Sequence, residues 1–173
     1  MKNNLNTNYI WSISYKKTIN TDIANLWALI SKPSNLELFH PFCSINKVIK
    51  WPGIGSVDKI IYYNGLTLER HFINWIDNKG YDLLIGKKNG PKSLVIWRLK
   101  KIDSNKSSIK IRIYPHQFND KSSLFNFLKF YLIVYPIIKK YLRQVLNGLH
   151  WHIKTGNKIS KNMFGNNRYF SVK

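Results

Sequence analysis

Acidic residues are scarce in this 173-residue chain. Only 8 Asp and Glu stand against 28 Lys and Arg, which gives a net charge of +20 at pH 7, and Glu37 and Glu69 are the only glutamates. A field of this sign favours polyanions, either nucleic acid or anionic lipid. Because the lysines are scattered rather than clustered, we interpret the charge as background that aids solubility. An anionic membrane surface is kept as the alternative partner.

Cysteine and long apolar runs are equally scarce. Cys43 is the single cysteine, so an internal disulfide is excluded and a reducing compartment is favoured. Residues 1–8 lack the apolar core of a signal peptide. No stretch of about 20 apolar residues could form a membrane-spanning helix. We therefore expect a cytoplasmic location, with peripheral attachment to a membrane as the alternative.

The standard signatures of cofactor and metal chemistry are also missing. Gly53 and Gly55 follow Pro52 and no helix comes after them, so they indicate a turn rather than a phosphate loop. His150 and His152 are two residues apart in a predicted helix and point to different faces. We therefore predict neither a cofactor nor a metal site.

One long amphipathic helix is the clearest element that is present. Pro136 suits the first helical position and Gly156 suits the C-terminal stop, which predicts a helix over residues 136–156. Apolar residues recur between them at helical spacing, namely Ile138, Tyr141, Leu142, Val145, Leu149, His152 and Ile153. Nearly everything before this helix has the pattern of short strands, so we expect the helix to pack across a sheet.

The strands and short helices follow in a recognisable order. Residues 9–19 alternate as a first strand, and residues 23–31 and 36–39 have the pattern of two short helices. Six candidate strands come next, separated by turns of hairpin length, at residues 44–51, 58–63, 66–76, 81–85, 93–102 and 108–114. Residues 124–135 are strongly apolar and indicate a helix or lid. The sheet should be antiparallel with one buried face.

Three motifs in this order resemble the START-like superfamily, also called SRPBCC, over residues 9–156. The first helix of the superfamily resembles residues 24–30, ANLWALI. The start of its second strand resembles residues 40–43, HPFC, and its closing helix resembles residues 141–149, YLRQVLNGL. The superfamily includes START domains, pollen-allergen-like proteins and polyketide cyclases/dehydrases. The resemblance implies an α+β helix-grip fold, in which a curved antiparallel sheet of about six to seven strands wraps around a long C-terminal helix. Residues 125–135 and the tail after residue 156 depart from a minimal member.

The resemblance also implies a function. Such proteins hold lipids, isoprenoids or polyketides in an apolar cavity between sheet and helix, and some catalyse cyclisation or dehydration. We therefore expect residues 9–156 to bind a hydrophobic small molecule, residues 1–8 to be loose, and residues 157–173 to dock by their aromatic side chains. The alternatives are a cyclase or dehydratase using the same cavity and a basic peripheral membrane protein. Nucleic acid is not an expected partner, because the aromatic residues lie in strand cores rather than on a stacking platform.

The strand over residues 66–76 offers the candidate chemistry. Strict alternation places Glu69 and His71 on one face with Trp75. A buried Glu69 beside His71 would form an acid/base pair; the alternative is a surface ion pair. The predicted ligand-binding residues of the cavity are Tyr62, Trp75, Trp97, Ile111, Ile113, Val145 and Leu149.

The uncharged run over residues 130–138 offers a membrane contact. Basic residues flank it, namely Lys121, Lys129, Lys139, Lys140 and Arg143. Apolar residues bordered by basic ones suit the interface of an anionic membrane. The predicted interfacial residues are Phe130, Tyr131, Leu132, Ile133, Lys139 and Lys140. The alternative is that this run simply covers the cavity or the sheet edge.

Overall fold

A computed structural model describes residues 9–119 and 124–171. The predicted loose segment at residues 1–8 and the flanking Lys121 lie outside the described residues. The strands are β1 (Ile13–Ile19), β2 (Cys43–Lys50), β3 (Val57–Tyr62), β4 (Thr67–Ile76), β5 (Gly80–Gly86), β6 (Lys92–Lys101) and β7 (Ser107–Tyr114). The helices are α1 (Ile23–Ile30), α2 (Leu36–Phe39), α3 (Leu124–Lys129), a π-helical segment (Phe130–Val134) and α4 (Tyr135–Thr155).

The strands form one antiparallel sheet in the order β1-β7-β6-β5-β4-β3-β2. From β2 to β7 each strand pairs with the next as a hairpin, and β1 completes the sheet by pairing with β7. One register row runs from Phe72 through Leu83 and Val95, all buried, to Ile113. These side chains belong to the inner face, which packs against the helices. The predicted helix-grip class, with two short helices after β1 and a long C-terminal helix, is confirmed.

A β-bulge in β4 changes which side chains reach the inner face. Phe72 pairs with Leu83 and Asn74 pairs with Asp82, so Ile73 is an extra residue in β4. Such an insertion reverses the alternation beyond it. Trp75 consequently lies beside Phe72, with 5.5 Å between ring centroids. The prediction that Trp75 shares a face with Glu69 and His71 is therefore wrong.

The helix predicted over residues 136–156 is confirmed as α4, and it is continuous with residues 124–135, for which the sequence predicts a helix or lid. The helical run starts at Leu124 and passes through the π-helical segment into α4. Pro136 lacks an N–H and its ring crowds the carbonyl four residues back, so an unbroken α-helix would be strained there. The wider turn just before it, in which the Tyr135 N–H bonds the Phe130 carbonyl, lets the run continue. Gly156 ends α4 in the left-handed conformation, as predicted. No helix in the described residues is long and apolar enough to cross a bilayer.

Candidate ligand-binding site

A cavity of about 490 Å³ lies between the inner face of the sheet and the C-terminal helix. This volume is within the usual range for small-molecule sites. The sheet contributes Leu83, Val95 and Trp97 to its walls, and α4 contributes Leu142 and Val145. The middle of the cavity is therefore apolar.

Most of the predicted ligand-binding residues line this cavity. The ones that do are Tyr62, Trp97, Ile111, Ile113 and Val145. The bulge turns Trp75 to the inner face. There it lies in an aromatic cluster with Trp27 of α1 and Trp51, not on the cavity wall. Leu149 is fully buried in packed core one helical turn past Val145. The prediction that Trp75 and Leu149 line the cavity is therefore wrong.

Glu69 and His71 are close together but lie on the outer face of the sheet. The Glu69 Oε2 atom is 3.3 Å from the His71 Nε2 atom, and the His71 side chain is 39% exposed. Both residues alternate with Leu68 and Arg70, whose side chains line the cavity. The strand therefore separates the predicted acid/base pair from any molecule inside.

Three aromatic side chains form a hydrogen-bonded chain at one end of the cavity. The His40 Nε2 atom is 2.8 Å from the Tyr141 hydroxyl, which is 3.4 Å from the Tyr62 hydroxyl. Burial, followed by the charge of Arg70, lowers the pKa of His40 to about 3. Burial also raises the pKa of Tyr141 to about 12. At neutral pH all three groups are uncharged and can donate or accept hydrogen bonds.

A buried ion pair adjoins this polar end. The Arg70 guanidinium meets the Asp58 carboxylate through two bonds, with Nε 2.8 Å from Oδ1 and Nη2 2.5 Å from Oδ2. Both residues are at most 3% exposed, and Asn46 also donates to Asp58. Burial acts to lower the pKa of Arg70, but the Asp58 carboxylate raises it overall. The pair therefore presents polar atoms to the cavity without a net charge.

Beside the hairpin between β5 and β6, the cavity reaches the surface. Lys87 and Gln117 are exposed there, and the Ser93 hydroxyl is 2.9 Å from the His116 Nδ1 atom. Burial lowers the pKa of His116. This opening is the mouth through which a ligand can pass.

The C-terminal tail closes the polar end. The Phe170 ring centroid is 4.4 Å from that of Tyr141 and 4.9 Å from that of Tyr62. Gln144, buried in α4, donates to the carbonyls of Phe164 and Gly165 and so holds the tail against the helix. Phe170 thereby forms part of the cavity wall.

The predicted membrane-interface residues divide between two environments. Phe130 is fully buried beneath Trp11, with 5.3 Å between ring centroids, so it cannot insert into a bilayer. Lys139 donates to the Ser14 carbonyl and packs near Tyr15. The remaining ones are exposed, namely Tyr131, Leu132, Ile133 and Lys140. Phe130 and Lys139 are therefore removed from the interfacial set.

Comparison with known proteins identifies the fold. No protein-family model and no curated protein matches this chain. Among solved structures, Aha1 from Colwellia psychrerythraea has a TM-score of 0.62 at 14% identity, over 85% of this chain and 98% of that one. A START superfamily protein from Mycobacterium smegmatis has a TM-score of 0.62 at 9% identity, over 84% and 99%. DynU16, from the dynemicin biosynthetic locus, has a TM-score of 0.64 at 9% identity, over 85% of this chain but 48% of its own.

These neighbours are START-like helix-grip proteins. At such low identity they establish the fold alone. The resemblance predicted from the sequence is thus confirmed for the architecture, and the function has to be argued from the cavity.

We expect a leucine that borders the cavity to contribute less to the free energy of unfolding than one in packed core. Leu149→Ala should lower the free energy of unfolding by ~2–5 kcal/mol, because its side chain is packed on every side. Leu142→Ala should lower it less, because Leu142 is equally buried from solvent but borders the cavity, where it has fewer contacts to lose. Urea unfolding of the two matched variants measures the difference. An equal loss in both would mean that Leu142 is packed like ordinary core.

We also expect His40 to make stability depend on pH. In the unfolded chain histidine titrates near pH 6.5, whereas folded His40 titrates near 3. Between these values the unfolded state binds more protons, so stability falls as pH decreases, by up to about 1.4 kcal/mol per pH unit from this group.

His40→Gln keeps a hydrogen-bonding group near Tyr141 but removes this titration. Urea unfolding from neutral pH down to about pH 4 should therefore give a shallower pH dependence for the variant than for wild type. The carboxylates titrate in both proteins, so the difference isolates His40. Parallel curves would contradict the assignment.

Proposed function

We propose that this protein binds a hydrophobic small molecule, of lipid, isoprenoid or polyketide type, in the cavity between the sheet and α4. The observation that carries the proposal is a cavity of about 490 Å³ whose middle is apolar and whose buried polar groups are His40, Tyr62, Arg70 and Tyr141. Ligand sites combine an apolar lining with a few orienting polar groups in this way. The helix-grip fold, which typically binds hydrophobic ligands, supports the same function.

The polar end favours a ligand with an uncharged hydrogen-bonding group. Tyr62, Tyr141 and Arg70 offer donors to a hydroxyl or carbonyl oxygen. The charge of Arg70 is already neutralised by Asp58, so a second carboxylate would be desolvated without gaining an unpaired cation. The apolar body of the ligand would then pack against Leu83 and Val95, which line the apolar middle of the cavity.

Binding is favoured over the cyclase or dehydratase alternative by the protonation states of the buried groups. General acid/base catalysis works best with a pKa near the operating pH. Burial moves the pKa of His40 to about 3 and raises the pKa of Tyr62 well above its usual value. These groups suit orientation of a ligand better than proton transfer, and Glu69 and His71 lie outside the cavity.

The alternative of a basic peripheral membrane protein rests on a different surface, the exposed outer side of the helical run that begins at Leu124. It is compatible with a cavity ligand, because the cavity lies on the inner side of that run.

We expect a substitution that fills the cavity to weaken binding. Ile113→Trp adds an indole to the cavity wall, so affinity for the neutral dye Nile red should fall at least ~10-fold, or about 1.4 kcal/mol. Ile45→Trp is the matched control, because Ile45 is 46% exposed on the edge strand β2. Fluorescence titration measures both variants, and circular dichroism verifies their fold.

Native mass spectrometry of the purified protein, with extraction of what co-purifies, identifies the natural ligand. Equal affinities in a folded Ile113→Trp variant and wild type would overturn the proposal. Conversion of the extracted molecule to a product during incubation would favour the enzyme alternative.

A further inference from the structure

The outer side of α3 and the π-helical segment is an exposed apolar surface, here called the outer patch. Its members are Leu124, Phe125, Phe127, Leu128, Tyr131, Leu132 and Ile133. Leu124 is 76% exposed, Leu132 72% and Phe125 64%. Single exposed apolar residues are ordinary, but a contiguous group of this kind marks an interaction surface.

The inner side of the same segment explains why the patch faces outward. Phe130 and Val134 are at most 1% exposed and belong to the core. The π-helical turn between them presents Tyr131, Leu132 and Ile133 in succession on the opposite side. The segment is therefore anchored to the fold by its inner residues, while its outer residues remain open to a partner.

The charge around the outer patch is positive. No Asp or Glu follows Asp120 in the sequence, so the patch and α4 carry no carboxylate side chain. Pro136, Lys140 and Arg143 recur at helical spacing and are all exposed, so the side of α4 that continues from the patch is basic. The Lys129 ammonium lies 3.8 Å from the centroid of the Phe125 ring.

We propose that the outer patch docks onto an anionic lipid bilayer. The segment lies in the plane of the interface, with the exposed leucine and phenylalanine side chains among the upper acyl chains. Lys140 and Arg143 contact the anionic headgroups. An apolar face combined with a basic border is the arrangement that binds such interfaces, and aromatic residues such as Tyr131 are favoured at headgroup level.

Charge also decides between a bilayer and a second copy of the chain. Two copies, each of net charge +20, would bring like charges together around the patch. An anionic surface instead attracts those charges within about a Debye length. Docking does not require an occupied cavity. It would, however, place the helical wall formed by Val134 and Ile138 close to a source of hydrophobic ligands.

The test is co-sedimentation of the full chain with vesicles of phosphatidylcholine alone and with vesicles that also contain phosphatidylserine. We expect binding only to the anionic vesicles, weakening as salt rises. The double variant Leu128→Ser and Leu132→Ser should reduce the partition coefficient at least ~10-fold, because two apolar side chains no longer leave water. Lys140→Ser with Arg143→Ser should weaken binding and flatten its salt dependence.

The matched control is Ile49→Ser with Ile54→Ser. These residues are 57% and 67% exposed and lie near the opposite sheet edge, so this variant should bind like wild type. Failure of wild type to bind anionic vesicles at low salt would overturn the proposal, as would undiminished binding by the leucine variant. Analytical ultracentrifugation that shows self-association abolished by the same leucine variant would assign the patch to a second copy instead.

Discussion

One long helix and two short ones have to cover the inner face of a seven-stranded sheet, and the rest of the structure follows from that mismatch in size. Seven strands about 4.8 Å apart span about 29 Å, whereas a helix with its side chains is about 10 Å wide. At one end the aromatic cluster around Trp51, Phe72 and Trp75 fills the gap. Phe170 of the tail covers another part of the inner face, beside Tyr62. What remains unfilled is the cavity, which is a consequence of the architecture rather than of one missing side chain.

The polar groups inside this apolar space are tolerated because each is neutral or paired. Removing either Asp58 or Arg70 would leave an isolated buried charge, which is far more destabilising than the intact pair is stabilising. His40 avoids the same penalty by remaining unprotonated. The end of the cavity that Tyr62 shares with these groups is therefore polar but electrically neutral. This neutrality supports a ligand with an uncharged hydrogen-bonding group more strongly than the volume of the cavity does.

The sequence predicted the elements because their signals are local: turn residues, alternation and the apolar stripe of α4. It could not predict the bulge in β4, which reverses the face of Trp75 only once β5 is paired with it. Nor could it assign Arg70 to the inside, because a charged residue there makes sense only when Asp58 on the neighbouring strand is opposite. For the tail, the sequence predicted docking by aromatic side chains but not the place at which Phe170 docks, since the tail has no periodicity and Phe170 meets residues distant in sequence.

The helical run from Leu124 joins the two proposed activities in one element. Its inner residues Phe130, Val134 and Ile138 recur four apart and complete the core and the cavity wall. Among the described residues, Trp11 packs beside Phe127 and Tyr131, yet both rings and the leucines next to them remain exposed. The scattered lysines alone suggest background charge, but no Asp or Glu follows Asp120 in the sequence to oppose the positive charge of this element. The exposed apolar side chains and the basic side chains lie on the same side of one element. A single partner, an anionic membrane interface, would explain both.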